Sequence, residues 1–242
     1  MAQEVVRDIE VETKTVGEFV KELSEDKFLV PTFQREFEWD HSRLKLLWDS
    51  IFRFYPIGSI LYWVTDKCLQ LHRKIGGYVL PHSPEQITLF PTFNYVLDGQ
   101  QRATSLLLTL KGKNSLDPDE QDYTLYFDAT VNDDEEDSWK KRFLFKDEVN
   151  KRQAQPGSGF VFRLRDITNW NLGDYSKVMQ QPGFNADVMQ NLERMWDVFK
   201  QYDISLIKIQ GVDVDEVCEI FERINQQGKR LDPADIIMDP KN

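Results

Sequence analysis

"NYVLDGQQRATSLLLTL", residues 94–110, changes character in its middle. An apolar extended run ends at Leu97, the polar group Asp98, Gly99, Gln100, Gln101 and Arg102 follows, and from Ala103 the apolar residues recur as in a helix. The stretch predicts a buried strand over 94–97 that turns at a glycine into a helix over 100–110. Such a junction can hold an anion. A helix start offers unpaired N–H groups and a positive dipole end, glycine lets a ligand approach the backbone, and arginine supplies a planar fork for phosphate oxygens. Asp98 could then orient Arg102 or bind a Mg2+ ion carried by a nucleotide. The same residues also fit a purely structural turn, with Asp98 capping the helix and Arg102 as its salt-bridge partner, and spacing leaves both readings open.

The flanking chain reads as an alternation of helices and strands. "TVGEFVKELSE" has the capping-box spacing Thr15 to Glu18 and an amphipathic face of Val16, Phe19, Val20 and Leu23. Asp40 is the N-cap of a helix running to about Phe54. "YPIGSILYWV" then gives a Pro-Gly turn and a strand over 59–64. Hairpin or loop is expected from Asp66 to Phe93, and strands at 123–129, in "FVFRLRDI" from Phe160, and at 204–210. Asn185 caps a long helix through "ADVMQNLERMWDVFKQYD". A further helix ends near Gly228, and Asp232-Pro233 begins one more. That last helix is short, which leads us to expect a longer polypeptide beyond it.

Composition narrows the function. The chain has 242 residues, 40% of them hydrophobic, enough to build a substantial core. Cys68 and Cys218 are too few for a disulfide framework, no signal peptide opens the sequence, and no apolar run approaches the ~20 residues of a membrane span. A cytoplasmic protein without a membrane partner is therefore expected. With 41 acidic and 30 basic residues the net charge is −11, so any DNA contact must come from a local patch. The densest basic cluster includes Lys140, Lys141 and Arg142, next to the acidic run "DDEEDS". It is the candidate DNA contact, with a solvated insertion of mixed charge as the plain alternative. GxxxxGK[ST] and GxGxxG are both absent, and His41, His72 and His82 have no metal-ligand spacing.

Four motifs in order give a more specific reading: "PTFQREFEW" at 31–39, "YPIGSILYW" at 55–63, "DGQQR" at 98–102 and "IFERINQQGKRLDPADI" at 220–236. Together they resemble the N-terminal domain of GmrSD-type restriction enzymes, over roughly residues 15–238. The resemblance implies an α+β fold similar to ParB and sulfiredoxin, a small mixed sheet surrounded by helices. The core would span about 15–130, a charged, loop-rich insertion 131–158, and a closing strand with a helical part 159–238. It also implies binding and hydrolysis of an NTP with Mg2+, in a phage-defence system that, together with a C-terminal nuclease domain or partner subunit, recognises modified DNA. Oligomers are compatible with this reading.

Carried onto this sequence, the resemblance makes Asp98 and Arg102 the catalytic pair, with Asp98 also the metal ligand. Gly99, Gln100 and Gln101 complete the phosphate site. Gly58 and Ser59 of the "PIGS" turn, Gln34 and Arg35 between two phenylalanines, and Asn225 in the amide-rich "NQQGK" are further nucleotide contacts. The competing functions are a non-catalytic reader of modified DNA that merely binds through the same pocket, and a domain that itself cleaves DNA.

Overall fold

The computed structural model describes residues 7–31, 34–69, 72–74, 92–112, 121–152 and 158–224. Its main sheet has six strands: β1 (Asp8–Thr15), β2 (Leu29–Pro31), β3 (Ile60–Thr65), β4 (His72–Lys74), β5 (Phe93–Asp98) and β9 (Asp203–Gln210). Their order is β1-β9-β3-β5-β2-β4. The sheet is mixed: β9 runs parallel to β3 and antiparallel to β1, and β5 antiparallel to β3. A second, antiparallel sheet has β6 (Tyr126–Asp128) between β7 (Phe143–Leu144) and β8 (Val161–Arg163). The architecture is α+β, as expected.

Local rules place the first helices. α1 (Val16–Ser24) opens with a complete capping box between Thr15 and Glu18, and α2 (His41–Phe52) with the Asp40 carboxylate accepting from the Arg43 N–H at 2.9 Å. α3 (Gln100–Lys111) follows β5 directly. It is buried on nearly every side, so its polar residues bond inward. Ser105 donates to the Gln101 carbonyl, Thr109 to the Ser105 carbonyl, and the Trp48 indole to the Thr109 hydroxyl at 2.8 Å.

Later in the chain come α4 (Ser138–Arg142), α5 (Lys146–Arg152), α6 (Leu164–Thr168), α7 (Leu172–Met179), α8 (Ala186–Gln201) and α9 (Val214–Ile224). Asn185 caps α8 as expected, at 3.0 Å from the Val188 N–H. Alternation along the central strands divides the core by face. Ile60, Tyr62 and Val96 join the cluster built with α1, α2, α3 and α8. Leu61, Trp63, Tyr95 and Leu97 join a second cluster with Val214, Val217 and Cys218 of α9.

Three expectations change. β1 lies ahead of Thr15, where no strand was read. "FVFRLRDI" holds only a three-residue strand before α6, because Leu164 and Ile167, three apart, both turn into the core. The 131–158 stretch is a packed part of the fold where it is described: Phe143 and Phe127 are buried against Phe52 of α2. Arg142 sits at its centre, fully buried, with Nη1 donating to Asp49 at 3.1 Å and Nη2 to Asp133 at 2.5 Å. The helix expected after Asp232, the C-cap at Gly228 and residues 153–157 of the charged, loop-rich insertion lie outside the described residues.

Burial opposes ionisation of Asp133, but Arg142 and Arg53, with Arg194, outweigh it and hold the carboxyl below its usual range. A carboxyl depressed in the folded state stabilises above its unfolded pKa, about 3.9, and loses that contribution as pH falls through the folded value. Asp133→Asn should thus be less stable than wild type at neutral pH in urea melts, with the difference shrinking in acid. Arg142→Met removes one arginine from two carboxylates that keep Arg53 and, for Asp133, Arg194, and we expect it to cost about 1–3 kcal/mol at neutral pH in the same melts.

Candidate functional site

The end of β5 and the start of α3 meet the turn that leads into β3. Asp98 pairs with Leu61 across the sheet, next to an irregularity in register between Leu61 and Tyr62. Gly99 then takes a left-handed conformation (φ 84°), and a Cβ there would lie 2.9 Å from Cγ1 of Ile60. The turn needs glycine for both reasons. α3 starts at once on Gly99, which supplies no side-chain cap to its first N–H groups.

Arg102, one turn into α3, reaches back over this start. Its Nη1 donates to the Ile57 carbonyl at 2.8 Å, and its Nη2 to Oδ2 of Asp98 at 3.2 Å. The guanidinium lies on Gly58, also left-handed (φ 84°), where any Cβ would overlap Nη1. Of the structural alternative read from the sequence, the ion pair is therefore present and the Asp98 cap is not. Asp98 keeps 41% of its side chain exposed, while Gly99, Gln100 and Gln101 at the helix start are buried beneath it.

The three glutamines act differently from the expectation. Gln34, Gln100 and Gln101 are all buried. Gln34 donates to the Val96 and Leu97 carbonyls of β5. Gln100 donates to the Arg35 carbonyl at 3.0 Å, while Gln101 donates to the Glu36 carbonyl at 2.8 Å and accepts from the Glu38 N–H at 3.0 Å. These amides fasten segment 34–38 along the β5–α3 junction. Arg35 is thereby held by its backbone, with a side chain 70% exposed and, among the described residues, a long contact of 3.4 Å to Glu38. The exposed positive charge at the junction is Arg35, and the fixed one is Arg102.

The remaining positions separate. Ser59 is half-buried and follows Gly58 in the same turn, while Asn225 lies outside the described residues. Lys140 and Lys141 are exposed but ion-paired, with Asp137 at 2.6 Å and Glu135 at 2.9 Å. Arg142 is interior, which corrects its expected DNA contact: a side chain enclosed by Asp49, Asp133 and the Val131 carbonyl cannot reach a duplex in this fold. A cleft of about 460 Å³ lies elsewhere, between residues 132–135 and α8, lined by Asp133, Asp134, Glu135 and Asp187 with Arg194. Its acidic lining repels phosphate, so the junction is the better anion site.

Sequence reasoning missed the Ile57 carbonyl, the seat of Arg102, although Gly58 was a signal for a close approach. Among the described residues, no group of three His, Cys, Asp or Glu side chains could hold a metal. His41, stacked on Phe145 at 3.7 Å, has its pKa pushed down by burial.

A mixed-sheet domain whose Asp-Gly turn opens a central helix over an arginine clamp is what these residues define. Residues 16–239 match the family described as "GmrSD restriction endonuclease, N-terminal domain", and the chain belongs to that family. The chain is also similar to an uncharacterized protein of Methanocaldococcus jannaschii, 26% identical over 248 residues. That match covers 94% of this chain and 41% of the relative, so the chain spans about two-fifths of the relative's length. Among the described residues no helix is long and apolar enough to cross a membrane.

If Gly58 seats Arg102, Gly58→Ala should strain the turn and dislodge the guanidinium, at a cost of about 1–3 kcal/mol in urea melts. Combined with Arg102→Ala, its cost should be less than additive, because the clashing group is gone.

Proposed function

We propose that this chain is the nucleotide-binding, NTP-hydrolysing sensor module of a modification-dependent restriction system, with phosphates seated over the start of α3. The observation that carries this reading is the twelve-residue helix that opens on left-handed Gly99 without a side-chain cap, beside a clamped Arg102. The helix dipole favours an anion where Asp98 and Arg102 reach the surface beside the buried Gly99, Gln100 and Gln101. Arg102 uses one N–H on Ile57 and one on Asp98, which leaves other donors of its fork for a phosphate oxygen. Arg35, exposed on the fastened segment, closes over the outer phosphates.

Asp98 is a single, half-exposed carboxylate with one oxygen on Arg102. That fits a Mg2+ ion arriving with the nucleotide, since Mg2+ takes one or two carboxylates and draws its other ligands from phosphates and water. The ion, when bound, would neutralise phosphate charge. The protein's own part is to fix Arg102, orient Asp98, and hold Arg35 at the mouth of the site. Recognition of modified DNA and its cleavage we assign to a linked nuclease domain or subunit in the cytoplasm. The paired Lys140 and Lys141 and the interior Arg142 weigh against DNA held by this chain unaided.

Calorimetric titration of ATP, GTP and CTP with Mg2+ tests the binding. At least one nucleotide should bind wild type, with Arg35→Ala and Arg102→Ala each weakening it about tenfold or more, as for loss of a charge-assisted hydrogen bond. Unchanged affinity in Arg102→Ala would remove the phosphate assignment. Hydrolysis is read separately as release of inorganic phosphate, which the same substitutions should abolish.

A further inference from the structure

β1 closes one side of the main sheet, and its outer edge has no partner strand among the described residues. It is an unusual edge. All eight residues pair with β9 in one unbroken register, from Asp8 opposite Gln210 to Thr15 opposite Asp203. The strand has no proline and no bulge, two of the devices that keep sheet edges from recruiting strands. Charged residues, another such device, are present but already engaged. Glu10 pairs with Lys208 at 2.9 Å, Glu12 accepts from the Tyr62 hydroxyl at 2.8 Å, and Lys14 pairs with Glu22 of α1.

On the opposite face of the same strand, Ile9 and Val11 are 70% and 69% exposed. They stand across from Ile209 and Ile207, which pack in the core beneath α9. The apolar face of the sheet therefore runs one strand past the helix that covers it. Alternation then gives the edge two characters, apolar at 9 and 11 and acidic at 8, 10 and 12.

We propose that β1 is a docking edge for an extended peptide segment that alternates apolar with basic residues. Main-chain hydrogen bonds along the free edge would supply affinity, as in other strand-addition complexes. Apolar side chains would cover Ile9 and Val11, and lysine or arginine would meet Asp8, Glu10 and Glu12. Charge disfavours a second copy of β1 in this role: two antiparallel copies would bring Asp8, Glu10 and Glu12 of each strand onto one face against a single Lys14 from each, a destabilising excess of like charge. The proposal is independent of the nucleotide site.

The test uses the whole chain and three fluorescein-labelled peptides of strand length: alternating valine and lysine, the same composition scrambled, and alternating valine and glutamate. Fluorescence anisotropy should show binding of the first, at least about tenfold weaker binding of the second, and none of the third. Ile9→Lys with Val11→Lys should reduce the first affinity about tenfold or more, at unchanged melting temperature. Amide exchange on the wild type checks the site without any substitution: the alternating basic peptide should slow exchange within residues 8–15, and the scrambled one should not. Equal binding of the scrambled peptide would mean bulk electrostatics and overturn the proposal, as would protection outside β1. So would a dimer of the chain that the double substitution dissolves, since the edge would then belong to a second copy.

Discussion

The guanidinium of Arg102 holds three parts of the chain in one place. It joins the start of α3 to the Ile57 carbonyl in the turn before β3, and to Asp98 at the end of β5. Both glycines beside it are left-handed and have no room for a side chain, Gly58 against the guanidinium and Gly99 against Ile60. Lysine could not replace it, because a single ammonium lacks a planar fork that meets a carbonyl and a carboxylate at fixed angles. The join leaves Asp98 half-exposed at the end of β5, while the first turn of α3 beneath it is buried without a side-chain cap from Gly99.

Around this clamp, the glutamines solve a second problem. Segment 34–38 forms no strand, yet its backbone must be satisfied, and Gln100 and Gln101 supply the partners that a neighbouring strand would have given. Gln34 completes the join from the other side, on the last carbonyls of β5. The polar residues of the motif therefore divide by task. The amides build the wall, Arg102 locks it, and Asp98 and Arg35 are the groups turned outward. A rigid wall matters for anion binding because donors fixed in advance lose little entropy when the ligand arrives.

How much of this could be read in advance follows from the range of each interaction. Thr15, Asp40 and Asn185 were legible as caps because each bonds a backbone N–H only three residues on. The strand and helix around Asp98 were legible for the same local reason, from a change of apolar period. Arg142 was not, because Asp49, one of the two carboxylates that make its burial tolerable, lies 93 residues away. In the sequence it stands among lysines and acids that remain on the surface. The role of Gln100 was hidden likewise by a partner 65 positions distant. β1 escaped because an edge strand buries little of either face, so its acidic alternation resembled a solvated tail.

Amide chemical-shift mapping of the whole chain tests the central claim most directly, that the motif builds an anion cradle at the start of α3. Addition of a Mg2+-nucleotide should move the backbone N–H resonances of Gly99, Gln100 and Gln101 most, with the Arg35 side chain following. If those resonances stay in place while the largest shifts fall elsewhere, as around residues 132–135, the junction is a structural fastener and the account of the site is wrong.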